Sequence, residues 1–244
     1  MRRHQGLALM AALLLSLLPL SQALAVPSLQ LDIEQGVYDL STETIVSTSE
    51  TFNLYALLRP TLVNGTTDWY YISAALVPKT GPDGASLGSF EFAETTVDVT
   101  DDMVYGVPPV ESDGTASPDP GDLPKHGIFK TFFYEYKFQF DTDDKAIRYN
   151  TQDNPGGFQV ASPGDNFLYY VSIPVNIGAL AEGYVIHFDL YNEVVRCSGD
   201  YDISAKAPFS HDAEGRKVPE PGTLTLLGIG LIGLAGWGRK KFRR

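Results

Sequence analysis

Apolar and polar side chains alternate with period two along much of the chain between residues 29 and 191. The clearest stretch is 131–140 (TFFYEYKFQF). Phe132, Tyr134, Tyr136, Phe138 and Phe140 share one face, and Glu135, Lys137 and Gln139 share the other. That alternation, rich in aromatics, predicts a strand with one buried face. The same pattern predicts strands over 29–33, 51–58, 69–77, 167–175 and 184–191, with shorter ones at 45–47, 89–92 and 96–99. The one helical candidate, 175–182 (VNIGALAE), is short and contains Gly178, a poor helix former. About eight to ten strands punctuated by Gly, Pro and Asn predict an all-β domain. The architecture expected is an antiparallel β-sandwich, jelly-roll or immunoglobulin-like.

Two stretches break the pattern. Residues 101–130 contain Pro108, Pro109, Pro118, Pro120 and Pro124 with Asp and Gly between them, and so large a connection predicts a functional loop. After Asp202 the chain turns small and polar (ISAKAPFSHDAEGRK), which reads as a linker.

The ends follow a different logic. Arg2 and Arg3 precede an apolar run from Leu7 to Leu20, and Ala23 and Ala25 then present small residues in an A-x-A arrangement. This is the pattern of a secretory signal, with cleavage by signal peptidase expected after Ala25. At the other end, Pro219-Glu220-Pro221 precedes a Gly- and Leu-rich stretch, 222–238, and five cations fill the last six residues. The stretch is long enough to span a somewhat thin bilayer as a helix. The cations would hold its end in the cytoplasm, leaving the preceding domain outside. The division expected is therefore signal peptide 1–25, extracellular β-sandwich 26–204, linker 205–217 and sorting signal 218–244.

Pro219, Glu220 and Pro221, the short Gly-rich span and the basic tail together closely resemble the PEP-CTERM sorting signal. The resemblance implies recognition at that tripeptide by an exosortase-type membrane protease, with the protein passed on to the surface. The span from Leu224 to Trp237 would be discarded or kept as a membrane anchor until processing. Prolines hold the motif extended, so a protease can bind it as a strand. This resemblance covers only about the last tenth of the chain.

Further segments resemble the choice-of-anchor family of bacterial surface proteins, in its N type. They are LQLDI-x-x-GVYD-x-x-TETIV, NLYALL, GPDGASLGSF, YGVPPV, LPKHGIFKTFFYEYKFQF and YNTQDNPGG. That resemblance implies an extracellular domain whose role is separate from its tether, and it carries no assigned activity.

Charge narrows the function. Between Val26 and Pro221 lie 11 Lys and Arg against all 30 Asp and Glu, a formal charge of −19. Nucleic acid and anionic lipid would be repelled. Cys197 is the single cysteine and cannot form an internal disulfide. Asn64-Gly65-Thr66 reads as a turn rather than a glycosylation site.

Candidate chemistry is sparse. Asp119 and Asp122 in the long loop, and Asp141, Asp143 and Asp144 after the best strand, are weak Ca²⁺ candidates. Asp98, Asp101 and Asp102 form a further acidic group. None of these runs has the ligand spacing of a twelve-residue calcium loop, and a solvated acidic turn explains each. His126 reads as a loop residue, His187 as a residue on the outward face of a strand, and His211 as part of the linker. No hydrolase motif occurs, and catalysis is not expected. Tyr55, Trp69 and Tyr71 could form a stacking platform for a glycan, with exopolysaccharide as partner, although strand aromatics usually pack against one another. The reading is a non-catalytic structural or adhesive β domain. Its alternatives are a Ca²⁺- or carbohydrate-binding module and, after that, an uncharacterised hydrolase.

Overall fold

The computed structural model describes residues 26–82, 86–109, 130–195 and 201–217. The described residues form fourteen strands and one 3₁₀ turn, Phe209–His211. The strands, in chain order, are β1 (Leu29–Ile33), β2 (Val37–Asp39), β3 (Thr44–Val46), β4 (Thr51–Leu58), β5 (Tyr70–Val77), β6 (Ser89–Phe92) and β7 (Thr95–Asp98). They continue with β8 (Val104–Gly106), β9 (Thr131–Phe138), β10 (Lys145–Ile147), β11 (Phe167–Asn176), β12 (Val185–Val195), β13 (Tyr201–Lys206) and β14 (Ala213–Gly215).

Two sheets result. The first runs β1-β4-β11-β6-β7, with β10 also on β11; the second runs β2-β3-β14-β12-β5-β9-β8, with β13 also on β12. Pairing is antiparallel except where β14 lies parallel to β3. The inward faces meet in one core. Leu29, Leu31, Ile33, Leu54, Phe92 and Ile173 come from the first sheet, and Ile72, Ile186, Phe188 and Leu190 from the second. Phe188 is stacked on Phe92 at 5.6 Å and meets Phe52 edge-on at 6.5 Å, so aromatic contacts bridge the layers. This is the β-sandwich that the alternation predicts.

The periodic strands lie where alternation places them, and the 175–182 stretch is not helical: β11 ends at Asn176 and turns follow. The linker reading of 205–217 needs correction. Within it β14 fills the gap between β3 and β12, and Ala213, Glu214 and Gly215 are all buried. The pattern misled because a three-residue strand buried on both faces has no alternation to display. The sandwich therefore continues to the last described residue, Lys217.

The outer face of the first sheet is covered by residues 146–158. Tyr55 stacks on Phe158 at 3.8 Å and meets Tyr170 edge-on, beside buried Leu57, Ala146 and Leu168. Asp32, on the same face as Gln30, anchors this cover. Its Oδ2 accepts the Tyr149 hydroxyl at 2.5 Å, and its Oδ1 accepts the N–H groups of Gly156 at 2.7 Å and Ile33 at 2.9 Å. Gln30 adds two bonds, to Tyr149 O and from Thr151 N. Gly156 has φ of 67°, and a Cβ there would lie 2.9 Å from Gly36 N, so the close approach excludes a side chain.

Candidate metal centre

Strand β12 sends Ile186, Phe188 and Leu190 into the core. Alternation places His187, Asp189 and Tyr191 on the opposite face. All three are nonetheless buried, His187 completely. Cross-strand pairing sets their neighbours on that face: Glu214 and Ala75 flank His187, and Ser73 lies opposite Asp189. Asp212 stands one residue before β14, where the same register continues toward Asp189.

His187 Nε2 lies 3.5 Å from Asp189 Oδ1 and 3.8 Å from Asp212 Oδ2. Donor atoms of the three residues fall within 4.8 Å of one another, the one such group among the described residues able to hold a metal. Neither carboxylate oxygen of Asp189 accepts a hydrogen bond, and the same holds for Glu214 Oε2 and for the buried hydroxyl of Ser73. The other oxygen of Glu214 is ion-paired with Arg216, whose Nη1 also reaches Asp39 Oδ2 at 2.7 Å. Nearby on this face, Tyr191 donates a short hydrogen bond to Glu135 and stacks on Tyr71 at 5.6 Å.

Burial by itself would lower the His187 pKa, but Asp189 and Asp212 outweigh it and hold the imidazole well above its ordinary value. Two carboxylates thus create a strong demand for positive charge on a face from which water is excluded. Either a proton on His187 or a bound cation can meet it. An imidazole nitrogen with two carboxylate oxygens is a recognised donor set for divalent first-row ions.

His187 does lie on the outward face of its strand, as the alternation implies, yet it is buried rather than exposed. His211 is a buried domain residue: its Nε2 is 3.1 Å from Asn150 Oδ1 and its Nδ1 is 2.9 Å from Ser210 Oγ. Burial holds it neutral, with its pKa lowered to about 4. Asp141, Asp143 and Asp144 are exposed, and Asp141 Oδ1 accepts the Asp143 N–H at 2.9 Å in a local turn. Asp98 likewise caps its own turn through Thr100 and Asp101. Tyr55, Trp69 and Tyr71 do not lie together on one face. Tyr55 is buried on the outer face of the first sheet, while Trp69 and Tyr71 share Lys137, whose Nζ lies 4.6 and 5.5 Å from their ring centres. Asn64 is buried and accepts the Asn192 amide at 2.6 Å, so its side chain is committed within the domain. Ala23, Ala25, Asp119, Asp122, His126, Cys197, Pro219, Glu220, Pro221 and the 222–238 span lie outside the described residues. Among the described residues no helix is long and apolar enough to cross a membrane.

The signal for His187 and Asp189 was present as H-x-D on a strand, because period two puts both on one face. Asp212 could not be added while its segment read as a linker.

Residues 217–240 match the PEP-CTERM protein-sorting motif. No curated protein and no solved structure matches the chain. The motif marks the chain for export to the cell envelope or surface and for processing by an exosortase-type membrane protein.

Proposed function

We propose that this protein is a surface-displayed, non-catalytic β-sandwich of the choice-of-anchor type. It serves a structural or adhesive role in the envelope or in an extracellular matrix rich in exopolysaccharide. One observation carries the reading: the sorting motif begins at residue 217, two residues after β14, the last strand of the described residues. Strand β14 lies only a few residues before Pro219, so cleavage near the motif would pass on the whole folded domain. A cut upstream of residue 213 would remove the strand that joins β3 to β12.

Intact-mass analysis from the native host tests this, with Pro219→Ala and Glu220→Ala variants alongside. The expected mature species begins near Val26 and ends near Pro221, and both variants keep their tails. A wild-type species that retains residues 222–244 would end the sorting part of the proposal.

A further inference from the structure

We propose that His187, Asp189 and Asp212 bind one divalent transition ion of the zinc class, which clips the final strand into the sandwich. The inference stands independently of the sorting reading, since it rests on groups inside the domain.

Three observations point the same way. The first is spacing. At 3.5 and 3.8 Å the His187–Asp189 and His187–Asp212 separations exceed normal N–H···O hydrogen bonds. They are close to the edge of a tetrahedron whose corners lie about 2.1 Å from a central ion, roughly 3.4 Å. The second is hydrogen bonding. Asp189 is 1% exposed, yet neither of its oxygens accepts a hydrogen bond; Ser73, directly opposite on the same face, is fully buried and its hydroxyl is also without one. Native interiors rarely leave a buried carboxylate without a hydrogen bond, and an ion held by Asp189 would satisfy it. The third is charge. Glu214, opposite His187, is answered by Arg216, and Asp189 and Asp212 place two further carboxylates within 3.8 Å of the His187 imidazole.

Donor chemistry selects the ion. Calcium prefers six to eight oxygens, and an imidazole among carboxylates favours zinc and its first-row neighbours. Topology gives the role. Asp189 and His187 lie on β12, near the middle of the second sheet, and Asp212 lies at the entry to β14. An ion bound by all three fixes the short last strand, which makes only a few ladder bonds of its own, just ahead of the sorting motif.

The test uses the full-length chain in mild detergent, stripped with a chelator and then titrated with Zn²⁺ alone and, separately, Ca²⁺ alone. The wild type should take up about one Zn²⁺ and gain several degrees in its unfolding midpoint. Asp189→Asn, similar in shape, should weaken Zn²⁺ binding at least tenfold while keeping the wild-type circular dichroism spectrum. Should that variant fail to fold, X-ray absorption on the zinc-loaded wild type decides: one imidazole in an all-nitrogen-and-oxygen shell supports the site. No Zn²⁺ uptake, equal affinity in Asp189→Asn, or a shell with no imidazole or several would overturn it, as would Ca²⁺ binding more tightly than Zn²⁺. None of these outcomes depends on where the chain is cut.

Discussion

Asp32 and Asp189 are both carboxylates at the outer face of a sheet, both essentially removed from water, and they are stabilised in different ways. Asp32 receives a hydroxyl and two backbone N–H groups, so the protein itself completes its shell. Asp189 accepts no hydrogen bond and has His187 at 3.5 Å. A buried charge must be met by donors or by counter-charge. The first site meets that condition with fixed dipoles and acts as a structural knot. The second concentrates like charge around an imidazole and so suits a cation.

The largest expected effect follows from breaking the knot. Asp32→Ala leaves the Tyr149 hydroxyl and the Gly156 N–H without their acceptor and frees the cover over Tyr55 and Leu57. A loss of about 3 kcal/mol is expected for such a buried, charge-assisted set. Urea unfolding of wild type and variant measures it. A loss under about 1 kcal/mol would mean that apolar packing of Phe158 on Tyr55, rather than Asp32, holds the cover.

The second effect is a pH dependence with a definite sign. Burial pushes the Asp32 pKa up to about 6, against the downward pull of its hydrogen bonds. The unfolded value is near 4, so between about pH 4 and 6 the folded chain holds the extra proton. This group's contribution therefore favours folding most below pH 4 and declines as pH rises through 6. Asp32→Asn, neutral throughout, should lack the decline. The difference between wild type and variant across that window should be of order 2–3 kcal/mol, read from chemical denaturation at several pH values. Parallel curves would show that the hydrogen bonds, not burial, set the titration.

The third prediction tests the other carboxylate with the same substitution. With metal stripped away, Asp189→Asn relieves repulsion with Asp212 and reduces the desolvation cost. It should leave stability unchanged or raise it by about 1 kcal/mol, where Asp32→Asn at low pH brings no such gain. A chelator should lower the wild-type unfolding midpoint by several degrees and barely move that of Asp189→Asn. A loss of stability in the stripped variant would show His187 to be a permanent cation holding both acids.

Much of the sandwich was legible because its long strands carry enough alternating and aromatic or β-branched residues to declare themselves, even where, as in β1, β4 and β5, nearly every position is buried. The alternation of Phe132, Tyr134, Tyr136 and Phe138 states the strand and its inward face at once. The parts that were not legible are short and depend on partners distant in sequence. Strand β14 takes its conformation from β3 and β12 rather than from its own Ala-Glu-Gly. For the same reason the metal cluster was half visible. His187 and Asp189 share a face by local periodicity, but Asp212 joins them only through a pairing distant in sequence. Asp32 gave no signal, since its partners Tyr149 and Gly156 lie more than a hundred residues away. The sorting motif was the most readable feature because a processing enzyme reads it as sequence.

The smallest expected effect concerns the acidic turn after β9. Asp141, Asp143 and Asp144 are as dense in carboxylate as the buried cluster, yet they are exposed, and the Asp141 side chain serves its own turn. Water already solvates these charges, so removing one changes little. Asp143→Asn should shift stability by less than about 0.5 kcal/mol, and millimolar Ca²⁺ should give neither heat nor a thermal shift at this turn. A Ca²⁺-dependent stabilisation abolished by Asp143→Asn would reverse the contrast, showing that an exposed run, not only a buried cluster, can gather a cation. If only the zinc response exists and depends on Asp189, then enclosure rather than carboxylate density decides where this acidic protein holds a metal.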